Sequence, residues 1–253
     1  MKKPLLSVLF FLAFVPRMFS QLPASPTLAT ANVPEAAQYG VLYQLDIGST
    51  GTYNSLNAVG YAINNSSLTL NYSRVAYFLQ LDNKWVWVSM NDFSTSNAQL
   101  GIPHHNSGIF FQQTVSGMNV YGSANSGVTT TVNATGNIEL WPNCYTAGNG
   151  LVGIGGNGST YDFNDTYITN NCYGSFQVHN FGAQQTVFAF NSFANSNNYD
   201  LGMGNNTGNA HPDWTYMANA GSYTTKKLWI LVNTGVYITT QPSVASATAC
   251  IGG

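Results

Sequence analysis

Apolar and polar residues alternate with period two along most of this chain, and no stretch longer than about ten residues keeps a helical period. The segment Tyr39–Ile47 (YGVLYQLDI) alternates imperfectly. Ser66–Asp82 carries Leu68, Leu70 and Tyr72, then Val75, Tyr77, Leu79 and Leu81. In KWVWVSM, Trp85 and Trp87 take one face of a strand, and Val86 and Val88 the other. NSGIFFQQTV, NIELW, GSFQVHNF, QTVFAFNSF and KKLWILVN continue the series. Gly, Asn, Ser and Pro clusters separate these runs, and LDNKW and NFGAQQT have the make-up of short hairpin connections. Eight or more strands without intervening helices predict an all-β chain, an antiparallel β-sandwich or jelly roll.

Both ends differ from this pattern. Residues 1–20 hold Lys2 and Lys3, an apolar run from Pro4 to Val15 and a small Ser20, the order of a secretory signal peptide. The run is short for a bilayer span. The expected organisation is a leader over 1–20, a Pro-containing lead-in over 21–37, the β-domain over 38–233 and a separate tail over 234–253. Export to the cell surface or medium, with no membrane span, follows from that reading.

Composition agrees with an exported protein. Charged residues make up 6% of the chain, against an ordinary quarter, while there are 15 Tyr, 14 Phe and 5 Trp. The aromatic content argues against disorder. Beyond the leader, Arg74, Lys84, Lys226 and Lys227 face nine acids, a formal charge of −5. No basic patch survives, so nucleic acid is not an expected partner. Cys144 and Cys172 fall in the middle of the domain, and export permits a disulfide between them. Closing that loop would stabilise by about 3–4 kcal/mol in the chain-entropy picture. Cys250 is left without a partner in the domain.

Catalytic chemistry has no recognisable carrier. No serine sits in a G-x-S-x-G elbow. The four histidines, His104, His105, His179 and His211, have no metal-ligand spacing on one element. The Gly-rich run 146–160 matches neither a P-loop nor a dinucleotide fingerprint. No catalytic residue and no cofactor are expected, with calcium the one candidate ion. Asp162, Asn164 and Asp165 in YDFND, together with Asp200, offer hard oxygen ligands. The competing reading is Asx turns bonding their own backbone.

Sugar binding suits the composition best, because a sugar ring needs an aromatic face beside amides and carboxylates. Asn137, Glu139 and Trp141 share one strand face. Gln177 and His179, with Ser175, share another, opposite Phe176 and Val178. Asp213 and Trp214 stand in the polar stretch Asp200–Asn219, where Trp214 and Tyr216 begin a strand-like alternation. Glycan is therefore the candidate ligand. The bland alternative is that the tryptophans pack and the polar faces meet water.

Two resemblances add to this reading. ITTQPSVASATACIGG, residues 238–253, resembles the first strand of Ig-like repeats in large secreted Bacteroidetes proteins. That likeness implies a following domain, which would hold the partner of Cys250. SRVAYFLQLDNKWVWVSMNDF, GNIELWPNCY, YDFND, YGSFQVHNF and the block from DLGMGN to KKLWILV together resemble a β-rich accessory module carried by bacterial sialate O-acetylesterase-type proteins. This second likeness runs from about Val41 to Val232. It implies a non-catalytic module beside carbohydrate-active domains. A purely structural domain of a surface adhesin is the alternative, and an esterase or other hydrolase a more remote one.

Overall fold

The computed structural model describes residues 22–47, 60–102, 111–124, 126–141, 172–183, 185–193, 199–206, 213–218 and 223–233. The leader, the tail, Cys144, Cys250, Asp162, Asn164 and Asp165 lie outside these residues. So does the Cys144–Cys172 bridge, since only the backbone of Cys172 is described.

The described residues form one continuous antiparallel sheet of eleven strands. They are β1 (Gly40–Asp46), β2 (Ile63–Asn64), β3 (Arg74–Leu81), β4 (Lys84–Asn91), β5 (Phe111–Gly122), β6 (Thr131–Trp141), β7 (Cys172–Asn180), β8 (Gln185–Phe193), β9 (Tyr199–Asn206), β10 (Asp213–Ala218) and β11 (Lys226–Asn233). Strands β3 to β10 follow each other as a meander. β11 then returns to insert between β3 and β1, giving the order β10-β9-β8-β7-β6-β5-β4-β3-β11-β1-β2. The all-β antiparallel class expected from the alternation is thus present.

The sheet curls. Neighbouring strands lie about 4.8 Å apart, so β3 and β7 would be separated by about 19 Å if the sheet were flat. Yet the ring centroids of Tyr77 on β3 and Phe176 on β7 are 4.7 Å apart. Phe188 on β8 stands 6.4 Å from Tyr77. The concave face therefore closes on itself around a core that includes Val75, Tyr77, Leu79, Val86, Val88, Val120, Ile138, Phe176, Val178, Phe188 and Ile230. Each fully buried large side chain contributes roughly 1.5–3 kcal/mol by leaving water.

Tyrosines close one end of this core. Tyr43 and Tyr77 donate their hydroxyls to the carbonyls of Asn97 and Leu100, at 3.2 and 3.1 Å. Tyr61 accepts the Ile102 amide at 2.8 Å, and Tyr72 donates to Asn97 Oδ1 at 3.0 Å. Burial pushes all four phenols above their ordinary range.

The convex face carries the other half of the alternation. Trp229, Phe78 and Trp87 are direct cross-strand partners on β11, β3 and β4, and Tyr121 on β5 continues the row. Such aromatic pairs are strong units of sheet stabilisation. The lead-in covers this row. Its short helix α1 (Thr27–Asn32) follows Pro26 and stops before Val33, whose extended backbone is what the next residue, Pro34, demands. Small Ala29 and Ala36, with Val33, bury against Phe78, Trp85, Trp87 and Trp229. Gly40 leaves room for Leu22, which a Cβ there would strike. Residues 22–39 are thus packed into the domain's hydrophobic structure.

Two local features differ from the sequence pattern. Leu68 and Leu70 lie outside any strand and only pack on the core edge. Their alternation reflects one-sided contact, not sheet pairing. Asp200–Asn206, the glycine-containing start of the polar stretch Asp200–Asn219, belongs to strand β9. Gly202 pairs with Met217 of β10, and Trp214 stands opposite Asn205. No helix among the described residues is long and apolar enough to cross a membrane.

Candidate functional site

Two polar groups stand on the convex face, one anticipated by the sequence and one not. The anticipated group lies on β6 and β7. Register places Asn137 opposite His179, Glu139 opposite Gln177, and Trp141 opposite Ser175. Strand alternation brings Asn137, Glu139, Gln177 and His179 together, because Ile138, Phe176 and Val178 take the concave core. Asn137 Nδ2 donates to Glu139 Oε1 at 2.8 Å. His179 Nδ1 lies 3.1 Å from Thr186 Oγ1 on β8. All four are buried, with exposures of 0–2%. They differ in this from the solvent-facing groove that the sequence pattern suggests.

A hydroxyl beside an imidazole is a pairing used in nucleophilic chemistry. Here both His179 and Thr186 are fully buried, which leaves no surface for an incoming substrate. Trp141 ends β6 in register with this group. Asp213 and Trp214 are not brought to it: they lie on β10, three strands from β7. Asp200 lies in β9 opposite Asn191. Among the described residues, no group of three His, Cys, Asp or Glu is arranged to hold a metal ion.

The second group centres on Glu35 and Arg74. Glu35 follows Pro34 in the lead-in, so the packing of Val33 and Ala36 aims it at the convex face. Its Oε1 accepts Trp87 Nε1 at 2.9 Å and the Ser89 hydroxyl in a short bond. Its Oε2 accepts Asn119 Nδ2 at 2.8 Å. Arg74, on β3, donates Nη2 to Ser89 Oγ at 2.9 Å and to the Gly117 carbonyl at 2.8 Å. Nη1 reaches Asn91 Oδ1 at 3.0 Å, and Nε reaches the Tyr39 hydroxyl at 3.1 Å.

The buried Ser89 hydroxyl therefore stands between anion and cation, donating to one and accepting from the other. Charge-assisted bonds of this kind are the strong class. Gly117 serves the arrangement with φ of 62°, and a Cβ there would meet Asn91 and Arg74. Burial raises the Tyr39 phenol, the Glu35 charge raises it further, and bonds from Arg74 and Ser89 oppose the shift. Tyr121 is raised by burial first and by Glu35 second.

No local motif marks this group, since it joins positions 35, 74, 89 and 119. The usable signal was scarcity. In a chain with nine acids and seven basic residues, an Arg inside an apolar strand run requires an internal partner. Compared with family models, curated proteins and solved structures, the chain matches none.

Proposed function

We propose that this chain is a non-catalytic extracellular β-module of a larger secreted or cell-surface protein, with neutral glycan as its ligand. One observation carries the non-catalytic part. Each of the five carboxylates whose side chains are described is tied into the fold. Glu35 accepts three donors, and Glu139 accepts Asn137. Asp46 takes Gln44 and Lys227, Asp82 takes the Thr225 amide, and Asp92 takes the Ser94 amide and hydroxyl. A general acid or base needs a proton-exchanging face towards substrate. Glu139 is fully buried and Glu35 is occupied by three donors, while Asp46 and Asp92, which are exposed, carry only local structural bonds.

The glycan part is supported by composition. A surface built from Asn, Ser, Thr and Tyr with few charges recognises hydroxyls through neutral hydrogen bonds and ring stacking. The resemblance to an accessory module of sialate O-acetylesterase-type proteins points the same way, and the tail's likeness to an Ig-like repeat supports a longer chain. A broad glycan array tests the reading. Reproducible binding to one sugar class, little changed between low and high salt, is expected. Silence across the array overturns it. A structural adhesin domain is the second reading. The burial of Asn137, Glu139, Gln177 and His179 favours it, because those side chains then serve sheet cohesion.

A further inference from the structure

Charge is scarce in this protein, yet Glu35 and Arg74 end at one place on the convex face. Around them stand Asn119 and Tyr121, both half-buried, with Asn91 and Asn133 exposed. Glu35 binds Asn119 Nδ2, and the Asn133 amide donates to Asn119 Oδ1 at 2.9 Å. The Asn119 amide is thereby held at both ends. Tyr121 continues the same face two residues along β5 and packs on the aromatic row beneath. Val132, the exposed large apolar side chain among the described residues at 66%, neighbours Asn133 in the chain.

A pin for the lead-in requires only Glu35 and its three donors. The rest of the arrangement exceeds that need. Irregular backbone gathers here: Gly117 at φ of 62°, Asn133 at φ of 56°, and register shifts of β5 against β6 between Val115 and Val120. Bulges and left-handed residues inside strands re-aim side chains and concentrate beside functional sites. Polar capacity also remains. Among the described residues, four of Arg74's five N–H donors and three of the roughly four acceptor sites of Glu35 are engaged. The anion and cation offset each other, so the patch favours an uncharged ligand.

We infer that Glu35, Arg74, Asn91, Asn119, Tyr121 and Asn133 form a subsite for a neutral saccharide, with the sugar ring on Tyr121. The inference rests on the glycan-binding reading and gives it a location. The groups are already oriented, so binding orders few side chains.

The test begins with an array of neutral and sialylated oligosaccharides. The strongest binder is then titrated into 15N-labelled protein while the Trp87 Nε1 and Arg74 Nε resonances are followed. Both resonances should shift, because each group touches the patch. Tyr121→Ala and Asn133→Gly should each weaken binding about tenfold. The Gly variant keeps the left-handed backbone open, so its melting temperature should stay near wild type. Binding without shifts at Trp87 and Arg74 overturns this site and leaves the glycan function standing, and so does undiminished affinity in both variants. The shifts come from the wild-type chain and decide the question even if a variant folds poorly. Silence on the array removes the glycan reading and this subsite together.

Discussion

Tyr77 and Phe176 belong to strands four steps apart in the sheet, yet their rings lie 4.7 Å from each other. Phe176 also meets Phe188 at 5.2 Å. The three rings join the two halves of the curled sheet across the concave core. Phe176→Ala should therefore cost about 3–5 kcal/mol. Denaturant melts of the variant measure it, and a loss under about 1 kcal/mol would contradict the curl.

Removing the Glu35 carboxylate leaves Trp87 Nε1, the Ser89 hydroxyl and Asn119 Nδ2 without their acceptor. An orphaned donor costs about 1–3 kcal/mol, and coupled losses are not additive. Glu35→Ala is expected to destabilise by roughly 2–4 kcal/mol, and Glu35→Gln, which keeps one acceptor oxygen, by less. Proteolysis near residues 22–39 should quicken in the Ala variant. Equal stability of all three proteins would mean that the lead-in does not depend on this network.

Buried and partly buried tyrosines are expected to set the alkaline limit. Tyr39, Tyr43, Tyr61, Tyr72 and Tyr77 all have phenols raised by burial first. A raised folded pKa means that the folded state holds the proton more tightly. The stabilisation is complete below the unfolded value of about 10 and is lost as pH rises through the folded values. Tyrosinate absorbance should thus rise in two stages, the second coincident with loss of the strand signal in circular dichroism. Ionisation of all 15 tyrosines near pH 10 with the fold intact would refute this.

Two glycines should behave in opposite ways. Gly204 has φ of 70°, and a Cβ on it would strike the Ser126 carbonyl, whereas a Cβ on Gly182 meets nothing nearer than 3.7 Å. Gly204→Ala should cost more than about 1 kcal/mol, and Gly182→Ala should be neutral or stabilising by about 0.4–1 kcal/mol. Thermal melts of the pair check the prediction. Equal effects would show that the β5–β6 connection does not press on β9.

Much of the strand pattern was legible because burial is local to each strand. Trp85 and Trp87 oppose Val86 and Val88 as their alternation implied, and Gln177 and His179 oppose Phe176 and Val178. The LDNKW turn was legible too, since Asp82 takes the left-handed φ of 51° that a two-residue hairpin connection requires. What failed was non-local. Asn137, Glu139, Gln177 and His179 were placed on the correct faces, but face assignment does not reveal what covers a face. The six-residue helix over Thr27–Asn32 is too short to display a period. Glu35 became visible only when strands β3, β4 and β5 lay side by side.

The position of β11 has a kinetic consequence. Trp229 Nε1 bonds Gln44 Oε1 at 3.1 Å across 185 residues of chain. Until the segment Lys226–Asn233 exists, β1 and β3 each present a bare edge, and nothing local can pair them. Synthesis runs from the N-terminus, so the meander from β3 to β10 can form while its first edge waits for a late arrival. Closing that long loop is slow. Over that interval the nascent chain carries an open, hydrophobic template for pairing with other chains. Only the arrival of β11 between β3 and β1 removes both of these edges.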